Sequence, residues 1–290
     1  MTARILDGRV YAAKIKERVA REVQTLKSQY DIHPGLATVI VGEDEASKVY
    51  VAAKHKGCEE LGICSEILRM PQSTSREELL ARIESLNNNP RIHGILVQLP
   101  LPAHLAPETA ELLNRIQPDK DVDGFHPVNV GRLGGGEERL VPCTPYGCIK
   151  MLEMADIPVG GKKAVILGRS NVIGKPMFHL LLARNATVTM CHAETADLAA
   201  VCRTADILVA AAGSPGFVTA DMVKPGAVVI DAGINRVPGE KRIVGDVDFA
   251  SVKEVAGCLT PVPGGVGTLT LAMLLYNTVR AAQLQHKIFL

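Results

Sequence analysis

The stretch 164–182, "AVILGRSNVIGKPMFHLLL", reads as a buried strand, a short loop and a helix. Its apolar β-branched run stops at Gly168, and glycine returns at Gly174 where helical apolar spacing begins. Free backbone N–H groups and the positive end of a helix dipole then meet at one point, which suits a phosphate. The spacing departs from G-x-G-x-x-G, because Ser170 stands at the second glycine position. Two readings stay open on these residues alone: a dinucleotide site, or a tight turn that holds no ligand.

Working outward, strands are expected at 163–168, 186–191, 206–213 and 226–234. Helices are expected at 146–157, from 174 to about 184, and at 196–205. Upstream lies a second series, with strands at 36–42, 63–69 and 92–100 and helices at 45–63 and 75–87. Short apolar runs alternating with helices predict parallel sheets covered by helices on both faces. The fold class expected is α/β, a three-layer N-terminal domain followed by a Rossmann-type domain. The Gly- and Pro-rich segment 117–145 lacks periodicity and marks a boundary or an active-site loop.

The whole chain agrees with that frame. It has 290 residues, more than one comfortable core, with 47% hydrophobic and 22% charged residues and a net charge of +1. Near-neutrality argues against binding nucleic acid or an anionic membrane through bulk charge. Trp is absent and aromatics are 3%, too few for base-stacking platforms. No apolar stretch has transmembrane length, and residues 1–19 lack a signal-peptide core. Seven scattered cysteines without a C-x-x-C pair point to reduced thiols in a cytoplasmic protein, with Cys143 and Cys148 as packing residues.

Four further features carry chemistry. Laid around a helical wheel, Tyr50, Ala53, Lys54, Gly57, Cys58 and Leu61 share one face, so an ammonium sits in an apolar stripe. Lys54 is either a snorkelling edge residue or a site residue. Gln98, at the end of the apolar run "GILVQLP", either lines a crevice or bonds a loop carbonyl. Asp119, Asp121 and Asp123 alternate in "DKDVDGFHP" but lack the glycine and glutamate of a calcium loop, so no metal is expected. "TPVPGGVGTL" is a glycine-rich helix entry that either meets a flat ligand with its backbone or only turns the chain.

Together these segments, with "PCTP", "DAGIN" and "GDVDF", closely resemble the bifunctional methylenetetrahydrofolate dehydrogenase/cyclohydrolase family, in its order and over nearly the whole chain. The resemblance implies a folate-binding catalytic domain over 1–142, joined by a C-terminal helix at 266–290. A Rossmann domain over 143–265 faces it across a cleft, and the protein is a homodimer. It implies oxidation of 5,10-methylenetetrahydrofolate with NADP, then hydrolysis of the methenyl cation to 10-formyltetrahydrofolate at the same site. Lys54, Tyr50, Gln98 and Asp121 match the catalytic group. Asp123 matches the partner of the pterin edge, and Val97, Leu99, Pro263 and Gly264 match the folate pocket. Thr144, Gly168, Arg169, Ser170 and Ile234 match the cofactor side.

Preference for NADP is read from the residues as well. Cys191 and His192 stand where NAD sites place an acid for the ribose, while Arg169 and Ser170 can hold a 2′-phosphate. Two positions depart from the family's pattern: Thr268–Leu269 replaces Pro-Met, and Ala193 replaces a serine. A shikimate-dehydrogenase-type enzyme would explain the Rossmann half but leaves Tyr50, Gln98 and the terminal glycine loop unused.

Overall fold

Valine- and isoleucine-rich runs become strands wherever helices cover both of their faces, and that pattern builds two sheets. The computed structural model describes residues 2–236 and 242–288. In chain order they form β1 (Arg4–Ile5), α1 (Gly8–Tyr30), β2 (Gly35–Val41), α2 (Glu45–Leu61), β3 (Cys64–Met70), α3 (Arg76–Asn87) and β4 (Gly94–Val97). Next come α4 (Thr109–Leu113), α5 (Pro127–Gly134), α6 (Cys143–Met154), β5 (Lys163–Leu167), α7 (Gly174–Leu182) and β6 (Thr187–Cys191). The chain continues through α8 (Leu198–Cys202), β7 (Ile207–Ala210), β8 (Val228–Asp231), β9 (Asn235–Arg236) and β10 (Ile243–Val244). It closes with α9 (Phe249–Val252), β11 (Cys258–Leu259) and α10 (Val266–Gln285). Two compact units result: the first is Lys14–Cys143 with Leu271–Leu290, the second Met1–Ala13 with Thr144–Thr270.

The first unit holds a parallel sheet in the order β3-β2-β4. All seven residues of the central strand β2 are buried. Ala37, Val39 and Val41 pack with Leu79, Ile83 and Leu86 of α3 and with Leu105, Leu112 and Ile116. Leu36, Thr38 and Ile40 alternate to the opposite face. Local signals set the helix ends. Ser75 and Glu78 close a capping box at α3, and α2 starts at Asp44 and stops at Gly62 with φ 72°.

The second unit holds a six-stranded sheet in the order β1-β11-β8-β7-β5-β6, every pair parallel. From β5 the chain passes to β6 on one side and then crosses to β7 on the other. The order therefore reverses at β5, and a ligand crevice belongs at the carboxyl ends of β5 and β7.

Several elements differ from the sequence reading. Strands β1 and β11 are two residues each, too short for periodicity to reveal. Ala3 N–H bonds the Lys253 carbonyl and Leu6 N–H the Leu259 carbonyl, which ties the first residues to the second unit's sheet. Met1–Ala13 therefore lies with that unit rather than with the 1–142 domain. The segment read as aperiodic contains α5, opened by Pro127 and capped by the His126 ring, which accepts from Val128 N–H. The helix expected at 266–290 ends at Gln285, and residues 289 and 290 lie outside the described residues.

Gly94 opens β4 where a Cβ would lie 2.5 Å from Val122 Cγ1 and 3.3 Å from Leu36 Cδ1. Gly94→Ala should therefore destabilise the fold by about 1–3 kcal/mol, the range for forcing volume into a packed core. Urea unfolding checks this, and an unchanged midpoint would mean that Val122 simply moves aside.

Candidate active site

In the first unit, the face of α2 does not behave as one stripe. Val51 is 1% exposed and Cys58 is fully buried, whereas Tyr50 is 48% exposed and Ala53 is also open to solvent. Gly57 packs against Leu271 and Leu275 of α10. The buried stripe thus runs along Val51 and Cys58, and Tyr50 and Lys54, one turn apart, flank its open edge. The expected shared apolar face is corrected accordingly.

Half-buried Lys54 has a partner. Its Nζ donates to Gln98 Oε1 at 2.8 Å, and Gln98 Nε2 donates to the Leu99 carbonyl at 2.7 Å. The loop-carbonyl reading of Gln98 holds, and the amide fixed in this way offers its oxygen to the ammonium. Burial lowers the Lys54 pKa, opposed by the charge of Asp123. Burial likewise pushes Asp123 up to about 6, with Lys54 pulling it down and Asp121 pushing it up. Lys54 and Asp123 therefore act on each other through their charges in a setting that disfavours either charge alone.

The three aspartates divide into three jobs. Asp119 pairs with Arg132 and Arg139, at 3.4 and 3.1 Å. Buried Asp121 accepts from Gly124 N–H at 3.1 Å, from His126 N–H at 2.8 Å and from Asn129 Nδ2 at 3.0 Å. Its oxygens are committed to the loop that carries Asp123. Asp123 itself lines a small recess with Ile95, Val97, Phe125 and His126. Val97 is 3% exposed and Leu99 is 38% exposed. Among the described residues, no group of three His, Cys, Asp or Glu side chains is arranged to hold a metal ion.

Two residues that the sequence reading left without a site role hold this loop. Asn277 of α10 is fully buried, and its Nδ2 donates to the carbonyls of Val122 and Val141, both at 2.8 Å. Cys143 Sγ donates to the same Val122 carbonyl at 3.4 Å. Val122 stands between Asp121 and Asp123, so these bonds fix the backbone that presents both acids. An amide inside the apolar run "LAMLLYNTVRAA" was the available signal.

In the second unit, Gly168 lies at φ 115°, and a Cβ there would meet the Ala211 carbonyl oxygen at 2.1 Å. A Cβ on Gly174 would meet the Gly168 carbonyl oxygen at 2.2 Å. The two glycines keep side chains out of the crevice at the switch point, which fits close backbone approach by a pyrophosphate. Arg169 and Ser170 are exposed on this loop, and Ser170 Oγ accepts from Ile173 N–H at 3.1 Å. Thr144 and Thr270 share a hydroxyl bond of 3.0 Å, and Ile234 is 58% exposed. Pro263 and Gly264 also belong to this unit, where the Gly264 carbonyl accepts from Gly8 N–H at 2.9 Å.

Asp231 and Asp246, within "DAGIN" and "GDVDF", are the missed structural carboxylates of this unit. Asp246 accepts from Ala212, Gly213 and Ser214 N–H groups and from Asn235 Nδ2, at 2.6–3.0 Å. Asp231 accepts from the N–H groups of Gly233, Asp246 and Val247. They tie together the loops after β7 and β8.

Two family models match: "Tetrahydrofolate dehydrogenase/cyclohydrolase, catalytic domain" over residues 6–123, and the same family's "NAD(P)-binding domain" over 142–286. The Bifunctional protein FolD of Moorella thermoacetica is 58% identical over 283 residues, covering 98% of this chain and 100% of that protein. The crystal structure of the bifunctional FolD enzyme from Campylobacter jejuni superposes with a TM-score of 0.94 at 47% identity, over 98% of this chain and 99% of that one. A Trypanosoma brucei FolD, solved with NADP cofactor and an inhibitor, gives 0.92 at 38% identity, over 99% of each chain. With both domains matched and relatives aligned almost end to end, this chain belongs to the tetrahydrofolate dehydrogenase/cyclohydrolase family, bifunctional enzymes of one-carbon folate metabolism.

Proposed function

We propose that this protein oxidises 5,10-methylenetetrahydrofolate with NADP and hydrolyses the resulting methenyl cation to 10-formyltetrahydrofolate, with Lys54 as the proton-transfer group. The observation that carries this reading is the half-buried ammonium bonded to Gln98 and countered by Asp123. The bound NADP supplies a hydride acceptor. A fit to that cofactor is supported by the glycine-lined switch-point crevice with Arg169 and Ser170 on its rim, and the Trypanosoma relative binds NADP in its crystal structure.

Tyr50 offers an uncovered aromatic face one turn from Lys54 and suits stacking on the folate ring system. Asp123 suits the pterin's amino-pyrimidine edge, since a carboxylate accepts two parallel N–H bonds. Val97 and Leu99 give apolar contact, and Pro263 and Gly264 are proposed for the same substrate. Asp121 acts as a positioning residue, because its oxygens are already taken by the loop that carries Asp123. Thr144 and Ile234 are assigned to the cofactor side.

In the cyclohydrolase step, water adds to the one-carbon bridge of the methenyl cation and gives up a proton. The bond from that carbon to one ring nitrogen then breaks, and this nitrogen takes a proton. Neutral Lys54 can accept the first and its ammonium can deliver the second, which a pKa lowered by burial makes accessible. Gln98 keeps the Nζ aimed while the charge changes. Hydride transfer depends mainly on orientation of the two ring systems and leans less on an acid–base group.

The working form is proposed to be a cytoplasmic homodimer. Among the described residues no helix is long and apolar enough to cross a membrane. Strand β6 ends the larger sheet with alternate residues exposed, an edge that a second copy could cover.

Lys54→Met keeps apolar bulk and should abolish catalysed methenyltetrahydrofolate hydrolysis while the protein stays folded. A folded Met variant that still accelerates hydrolysis as the parent does would show the lysine to be structural. Asp123 sets a second expectation. Its carboxyl is neutral below about pH 6 and loses an acceptor there, so kcat/KM for the folate should fall on the acid side with a midpoint near 6. Asp123→Asn should lower both activities together and remove that limb; an unchanged limb in the variant would assign it to another group.

A further inference from the structure

The turn that follows β6 holds a charge that the cofactor reading has not used. The carbonyl of Cys191, the last residue of β6, accepts from Gly168 N–H at 2.9 Å. Residues 192–195 therefore leave the sheet directly beside the Gly168–Ser170 loop. Three bonds lock them into a tight turn. Thr195 N–H donates to the His192 carbonyl at 2.9 Å, His192 N–H to Thr195 Oγ1 at 2.9 Å, and Glu194 N–H to His192 Nδ1 at 3.2 Å. Ala193 and Glu194 form the exposed tip. Glu194 lies three residues beyond Cys191, in the turn just past the strand end where a dinucleotide fold places the acid that reads the ribose.

We infer that Glu194 is a specificity-determining residue that sets this enzyme's choice between NADP and NAD, opposing Arg169. The inference rests on the Gly168–Gly174 loop being the dinucleotide site proposed above. A carboxylate at the adenosine ribose accepts a hydrogen bond from the free 2′-hydroxyl of NAD. The 2′-phosphate of NADP brings no such donor and carries like charge, which repels Glu194 while attracting the Arg169 guanidinium. Ala193 beside it offers no hydroxyl to the phosphate. The chain thus presents one group for each cofactor at the same ribose position, and it should use NAD to a substantial degree beside its preferred NADP. Because the locking bonds come from backbone groups, His192 and Thr195, the carboxylate can be removed without loosening the turn.

The test measures kcat/KM for NADP and for NAD, at saturating methylenetetrahydrofolate, in the parent, in Glu194→Gln and in Arg169→Ala. Glu194→Gln should raise the NADP-to-NAD ratio about fivefold, the effect of removing one like charge at close range in a solvated site. That gain should shrink as salt is added. Thermal unfolding and the folate KM should stay at parental values. Arg169→Ala should move the ratio the other way. An unchanged ratio in Glu194→Gln, or equal changes with both cofactors, overturns the inference and leaves Glu194 an ordinary turn residue. A parent that prefers neither dinucleotide, together with an Arg169→Ala variant that leaves the ratio unmoved, overturns the cofactor reading itself.

Discussion

An ammonium half withdrawn from water needs an acceptor and a counter-charge, and much of the first unit is arranged around meeting that need at Lys54. Gln98 supplies the acceptor, 2.8 Å away, and is itself pinned by the Leu99 carbonyl. Asp123 supplies the counter-charge, and burial raises its own pKa, so each partner makes the other's charged form tolerable. The pair exists only if three separate elements hold register: α2 for the lysine, the end of β4 for the glutamine and the following loop for the acid. Gly94 lets that loop lie close to β4, and Asn277 with Cys143 ties down the Val122 carbonyl between the two acids.

The second unit meets a comparable need with the opposite sign. Asp231 and Asp246 are buried carboxylates, and backbone N–H groups from the loops after β7 and β8 converge on them. Satisfying these charges sets the shape of loops that carry no regular structure of their own. Gly168 and Gly174 then leave room at the switch point, with Arg169 exposed on the loop between them. Preorganised backbone at the carboxyl ends of parallel strands is what lets one scaffold hold a large anionic cofactor without a cavity lined by many cations.

Much of this was legible in the sequence because parallel strands buried on both faces write themselves as continuous apolar runs. β4, β5, β6, β7 and β8 all lie within expected segments, although β8 is trimmed to Val228–Asp231, and β2 and β3 are each displaced by one residue from theirs. What escaped notice was nonlocal. β1 and β11 are too short to show a period, and pairing with distant strands alone makes them strands. Tyr50 and Ala53 looked core-facing because a wheel cannot tell an edge left open for a site from one packed on a neighbour. The role of Asn277 depends on carbonyls more than 130 residues away. The resemblance to a known family supplied site roles that spacing left undecided, for Gln98 and Asp123 in particular.

The central physical claim is that burial, not the mere presence of a lysine, gives the site its proton-transfer group. Selective 15N labelling of lysine and titration of the Lys54 Nζ resonance measures that directly. A midpoint displaced below the ordinary lysine value of about 10.4, and displaced further downward when Asp123 is replaced by Asn, is the expected result. A midpoint at the ordinary value, indifferent to Asp123, would contradict it.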